Sequence, residues 1–248
     1  MSLDPFMIFH LLFISIAILA GSLAAVAGFG IGSLLTPVLA YQIGTKLAIA
    51  AISIPHFIGT ALRCWLLRKN IDRKILLSFG ITSALGGLTG ALIHNLIKNP
   101  ALTLIFGIIL ILSALVGLFK LNERFQFKGA IAFIAGAVSG GLGGLVGNQG
   151  GIRSAALLGF RLNKTAFVAT ATAIGLMVDI ARMPVYFYSE LNELIKIKYW
   201  ILIATAGVLA GTCFGTAYLK HIQEQLFKRI VCIAILILGI WMLFQKQI

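Results

Sequence analysis

Acidic residues are scarce in this sequence: seven aspartates and glutamates among 248 residues, against twenty lysines and arginines. Charge of either sign is thin, at 11% of residues, where a soluble domain carries roughly a quarter. That argues against a soluble fold. No HExxH, paired carboxylates, CxxC or nucleotide-binding motif occurs, and no nucleophile stands beside an evident base. These absences speak against metal-assisted or acid–base catalysis and against ATP coupling within the chain. Cys64, Cys213 and Cys232 all fall inside apolar runs without a pairing pattern, so they read as small core residues with no disulfide and no metal implied. No cofactor is expected.

Hydrophobic residues make up 60% of the chain, and the mean hydropathy is +1.03. About 20 helical residues cross a hydrocarbon core, and apolar runs of that length fill most of the sequence. The expected fold is an all-α polytopic membrane protein. The first run, residues 6 to 27, lacks a basic leader and continues into further membrane sequence, so it is read as a mature span. The net charge of +13 sits mostly in short loops, where it signals topology and meets anionic lipid; nucleic acid is not an expected partner.

The chain repeats itself. At an offset of 119 residues, Gly21, Gly28, Gly32 and Arg63 fall on Gly140, Gly147, Gly151 and Arg182. With six residues added in the later loop, Gly86, Gly90 and Phe119 fall on Gly211, Gly215 and Phe244. The expected units are residues 1–119 and 129–248, joined by the basic linker KLNERFQFK at 120–128. Each unit reads as one glycine-broken segment followed by three cleaner spans. The first comprises 7–43, broken at GFGIGS, then 46–67, 75–96 and 101–119; the second comprises 129–162, broken at GNQGG, then 165–188, 199–219 and 227–244. If each broken segment folds back as a hairpin, twelve loop cations lie on one side of the membrane and five on the other; if each crosses once, the split is ten to seven. The hairpin arrangement obeys the positive-inside rule better and makes the two units inverted repeats, a design recurrent in secondary transporters. The small-xxx-small pairs Gly86/Gly90 and Gly211/Gly215 suit backbone-to-backbone packing of the third spans.

Three arginines, Arg63, Arg153 and Arg182, remain inside spans with a single acid, Asp179. An arginine at a membrane helix centre costs about 2.5–3.5 kcal/mol on insertion scales, so each needs a reason. Asp179 stands three residues before Arg182 on one helical face and can pair with it. Arg63, five residues from a basic loop, can snorkel to the interface. Arg153 follows Gly150 and Gly151, at the start of a returning half-helix where free N–H groups and the positive dipole end also point. With Gly147, Asn148 and Gln149 it forms a donor set suited to an oxyanion, the alternative being a tight hairpin with a surface arginine. The matching stretch GFGIGSLLTP supplies Gly28, Gly30, Gly32, Ser33 and Thr36 but no charge. Arg63 and Arg182, placed alike in the two units, are candidates for recruiting or gating the anion. Asp179 and His56 are the candidates for proton coupling, although a lone histidine also reads as a packing residue. Ser53, Thr60, Thr170 and Thr172 read as helix-to-helix hydrogen bonds, and Tyr186, Tyr188, Tyr199 and Trp200 as interfacial anchors.

The paired stretches AGSLAAVAGFGIGSLLTPVLA and SGGLGGLVGNQGGIRSAALLGF resemble the sulfite exporter TauE/SafE family of membrane transporters. The glycines and proline of that pattern are kept at Gly28, Gly30, Gly32 and Pro37, whereas the second copy has Ala156 in the place of the proline and Asn148 and Gln149 among its glycines. The resemblance implies movement of sulfite, sulfonates, sulfoacetate or other organic anions across a prokaryotic cytoplasmic (inner) membrane. The expected function is therefore secondary transport, in the export direction, by alternating access around the broken helices. The alternatives are an anion channel and a membrane-embedded enzyme. Expected partners are a small anionic substrate and membrane lipid, and the reading is compatible with a homo-oligomer.

Overall fold

The computed structural model describes residues 5–28, 30–119, 129–147, 153, 157, 160, 162–218 and 224–244, and every described regular element is helical. Helix α1 (Pro5–Ala27) and the shorter α2 (Ile31–Ile43) flank the first glycine break. Gly44, at φ 81°, turns the chain into α3 (Thr45–Leu67). The next span opens with a short turn, α4 (Arg73–Ile75), capped by the Asp72 carboxylate, which accepts from the Ile75 N–H at 3.0 Å. It widens into a π-helical stretch, Leu76–Gly80, and continues as α5 (Ile81–Leu96). Then follow α6 (Asn99–Leu118), α7 (Ala130–Val146), α8 (Lys164–Lys196), α9 (Lys198–Tyr218) and α10 (Glu224–Phe244). Six of the described helices are long and apolar enough to cross a membrane, while α2 and α7 are shorter apolar helices.

One expected boundary shifts markedly. The long helix α8 runs eight residues past 188, so Glu190 and Glu193 are helical and only Ile197 separates α8 from α9. The polar stretch after Tyr188 stays helical because it remains amphipathic: Leu194 is buried, and Glu193 pairs with Lys196 at 2.6 Å. Cys213 is exposed and Cys64 intermediate, so only Cys232 is a core residue; none of the three forms a disulfide. The linker 120–128 lies outside the described residues.

The burial pattern is that of a protein in lipid. Leu85, Leu96, Leu202 and Phe244 are exposed on the outside, while Arg63, Arg153, Asp179 and Arg182 are buried inside. Hydrocarbon solvates the first group, and only protein satisfies the second.

The four most extensive helix pairings each join the first half of the chain to the second: α5 with α7, α1 with α9, α6 with α10, and α3 with α8. Glycine lets the first two pairs approach backbone to backbone. A Cβ on Gly140 would strike the main chain of Ser83, and one on Gly21 the main chain of Val208. Likewise Gly86 abuts Ala137 and Gly90 abuts Gly141, while Gly211 abuts Ile18 and Gly215 abuts Ser22. Each of these contacts has its counterpart at the sequence offsets of the repeat. The small-xxx-small pairs are thus the seams along which the third spans pack, α5 on α7 and α9 on α1.

Candidate functional site

The two glycine breaks are built alike at their upstream ends. Gly28 (φ 79°) donates its N–H to the Ala24 carbonyl at 3.0 Å, and Gly147 (φ 74°) does the same to Gly143 at 3.0 Å. Both conformations are left-handed, which glycine adopts without a Cβ penalty, and both stop a helix. After Gly30 (φ 128°) the chain re-enters helix at Ile31. The breaks then meet: a Cβ on Gly32 would run into the carbonyl oxygen of Gly147. At Gly28, by contrast, no described atom lies within 4 Å of where a Cβ would stand. The first break is therefore packed against the second at Gly32, while Gly28, although buried, is crowded by no described atom.

Around this junction stand the charged residues of the described interior. Arg153, in helical backbone and 3% exposed, reaches the Gly28 carbonyl with Nη2 at 3.5 Å. Its guanidinium lies against Gly175 of α8, where a side chain would displace it. Arg63 on α3 is 2% exposed and donates Nη2 to Thr60 Oγ1 at 3.0 Å. It stands close enough to Arg153 for the two cations to repel. Snorkelling is thereby overturned for Arg63: its guanidinium turns into the protein, along its own helix toward Thr60, and away from the interface. The surface alternative for Arg153 falls in the same way.

Arg182 is engaged on every side. Its Nε and Nη2 meet Asp179 Oδ1 at 3.0 and 2.8 Å, and its Nη1 donates to the Gly143 carbonyl in the last turn of α7. A cation there complements the negative end of that helix. The other carboxylate oxygen of Asp179 bonds His56 Nδ1 at 2.7 Å. Asp179 thus ties α3 and α8 together while Arg182 pins α8 to the end of α7. The only acid among the described interior residues is consumed by these two partners.

Arg63 and Arg153 have no such carboxylate. Each uses Nη2 on a neutral acceptor, and in both the Nε and Nη1 atoms lack a hydrogen-bond partner among the described residues. Two buried guanidinium groups with donors unpartnered among the described residues, one of them held beside the glycine-break main chain, make a place where an anion is solvated by protein.

Of the expected donors, the structure brings together Gly28, Gly30, Gly32, Gly147 and Arg153 with Arg63, Asp179, Arg182 and His56. Ser33 is buried in the first turn of α2. Asn148, Gln149, Gly150 and Gly151 lie outside the described residues. Of the four hydroxyls expected to bond between helices, Ser53 and Thr60 bond within their own helix, and among the described residues Thr170 is the one seen to bridge to another segment, accepting from the Asp72 N–H. Tyr186 is a correction: it is 1% exposed, donates its hydroxyl to the Gly144 carbonyl, and has the Arg182 guanidinium 5.8 Å from its ring centroid. Its place four residues after Arg182, on the same helical face, was the available signal. Tyr188 and Tyr199 are exposed, in keeping with their reading as anchors. His94, which nothing in its local sequence marks, is fully buried, its Nδ1 2.9 Å from the Leu145 carbonyl and its ring 5.0 Å from that of Tyr186. No group of histidine, cysteine, aspartate and glutamate among the described residues has metal-binding geometry.

Compared with known proteins, residues 13–242 match the family model described as Sulfite exporter TauE/SafE. No curated protein and no solved structure matches.

Proposed function

The chain belongs to the sulfite exporter TauE/SafE family of membrane transporters, and from that premise we propose that it is a secondary transporter of small sulfur-containing or organic anions. Sulfite, sulfonates and sulfoacetate are the expected cargo, moved outward across a prokaryotic cytoplasmic membrane. One observation carries this reading: where the two broken helices meet, the buried cluster holds three guanidinium groups against one carboxylate, and two of the three have donors to spare. Burying cations at this cost is sensible only if an anion completes the site.

In this reading Arg153 and the glycine-break main chain, with Asn148 and Gln149, bind the anion. Arg63 would recruit it, and Arg182, through Asp179 and His56, would couple the site to the helices that move. Alternating access fits the packing. Contacts repeated at the offsets of the sequence repeat support two inverted units, 1–119 and 129–248, rocking about the α3–α8 and α6–α10 pairs that would lie on their common axis. The test is uptake of labelled sulfite, sulfoacetate, taurine, acetate and a control cation into proteoliposomes carrying the wild type or Arg153→Ala. Transport of sulfite or sulfonates that saturates and fails in the variant supports the site. Normal transport by the variant removes Arg153 from it.

A further inference from the structure

The charges of this cluster can be counted, and the count points to a narrower class of substrate. We propose that the site, on the reading that it binds the transported anion, takes anions carrying two negative charges and rejects singly charged ions of the same size. The argument rests on which cations are already neutralised.

Asp179 is spent. One oxygen receives Arg182 at 2.8 and 3.0 Å and the other receives His56 at 2.7 Å. Arg182 is spent as well, since its remaining nitrogen holds the Gly143 carbonyl. With the His56 imidazole neutral, Asp179 and Arg182 cancel and Arg63 and Arg153 remain, each a full positive charge. Both are at least nine-tenths buried, and both have Nε and Nη1 unpartnered among the described residues. They repel one another, and Asp179 is the acid that attracts both. The other acids near the ends of α3 and α8 serve elsewhere: Glu190 stands 4.0 Å from Lys46, and Glu193 pairs with Lys196.

A single negative charge would leave one guanidinium buried without a counterion, which is the expensive state for an ion pair in low dielectric. A dianion leaves none. Its charges can sit on one head, as in doubly ionised sulfite, or at two ends, as in sulfoacetate; the proposal concerns the charge, and the two probes separate the shapes. Arg63 also sits where a sequence reading sends a snorkelling side chain out to the interface, so its inward position needs a cause, and a second substrate charge is one.

The experiment uses the full-length protein at a mildly alkaline pH at which sulfite is doubly ionised. Sulfite is compared with methanesulfonate, and sulfoacetate with ethanesulfonate, each pair close in size and one charge apart. Binding is read as thermal stabilisation in detergent and transport as uptake into proteoliposomes. At least one dianion should bind and move, with its singly charged mate weaker by on the order of a hundredfold. Arg63→Gln and Arg153→Gln should each narrow that gap to below about tenfold, chiefly by weakening the dianion. Singly charged mates within about threefold of the dianions overturn the proposal while leaving an anion transporter. So does uptake of single charges with a second-power concentration dependence, which means two ions fill the site. Equal losses for both members of a pair in the glutamine variants also overturn it. A folded wild type that binds and moves none of the probes sinks the anion reading itself, and this proposal with it. If the glutamine variants do not fold, the wild-type selectivity alone decides.

Discussion

His56 Nδ1 and Asp179 Oδ2 stand 2.7 Å apart although 123 residues separate them in the chain. The bond joins α3 of the first half to α8 of the second, and the same carboxylate holds Arg182 three residues along its own helix. One acid thus links the two halves and fixes the orientation of the cation that pins α7. Its burial is complete, so its neutralisation is a matter of fold stability as well as of transport.

Asp179→Asn should therefore be among the most damaging single substitutions. It leaves Arg182 buried without its counterion beside Arg63 and Arg153, at a cost of about 3–5 kcal/mol. The double variant Asp179→Asn/Arg182→Gln removes both partners and should recover part of the loss, with a coupling above about 1 kcal/mol. Thermal unfolding of the four proteins of the cycle in detergent checks this. Additive losses would mean that the pair does not act as a unit.

The glycine seams give a paired expectation. Alanine at Gly86 drives a Cβ into the Ala137 main chain, and alanine at Gly211 drives one into the Ile18 main chain. Backbone cannot give way as a side-chain tip can, so each should lose about 1–3 kcal/mol and the two losses should be similar. Gly141 is the control: its added Cβ would meet only the Gly86 carbonyl oxygen, at 3.7 Å, an ordinary contact. Gly141→Ala should be neutral or slightly stabilising, because alanine favours helix. Similar losses at all three positions would show that propensity or lipid contact, and not the seam, sets the response.

Much of this architecture is written in the chain because the forces that set it are local or periodic. Apolar length located the spans, and clustered glycines located the breaks at GFGIGS and GNQGG. The small-xxx-small spacing of Gly86 with Gly90 and of Gly211 with Gly215 foretold that these pairs would pack. What the sequence could not reveal is direction across space. Arg63 is equally able to turn outward to headgroups or inward to Thr60, and only the neighbouring helices decide. Tyr186 looks like an interfacial anchor until α7 is laid beside it and Gly144 offers a carbonyl. His94 and Leu145 meet across 51 residues, with no pattern in either segment to announce it.

Tyr186 tests that distinction. Tyr186→Phe keeps the ring under Arg182 but leaves the Gly144 carbonyl without its donor, and should lose about 1 kcal/mol. Tyr188→Phe, on a residue 94% exposed, should change unfolding by less than about 0.5 kcal/mol. Equal, negligible effects in detergent would return Tyr186 to the class of surface anchors.

The contact between Gly32 and Gly147 separates the geometry of the site from the stability of the fold. Gly32→Ala places a methyl group against the Gly147 carbonyl and must push the two breaks apart, since neither partner is a flexible side chain. The helices on either side keep their seams, so the loss of stability should stay within about 1–3 kcal/mol and the protein should still reach the membrane. Transport should fall by on the order of a hundredfold, because displacements near 1 Å at a positioned site have effects of that size. Gly28→Ala is the comparison: its methyl group meets no described atom, and its burden is the left-handed backbone at φ 79°, about 1–2 kcal/mol. If Gly32→Ala transports as well as Gly28→Ala at matched expression, the junction of the breaks is a packing feature and the anion is bound away from it. If only Gly32→Ala is silent, the spacing between the two breaks is what the substrate reads.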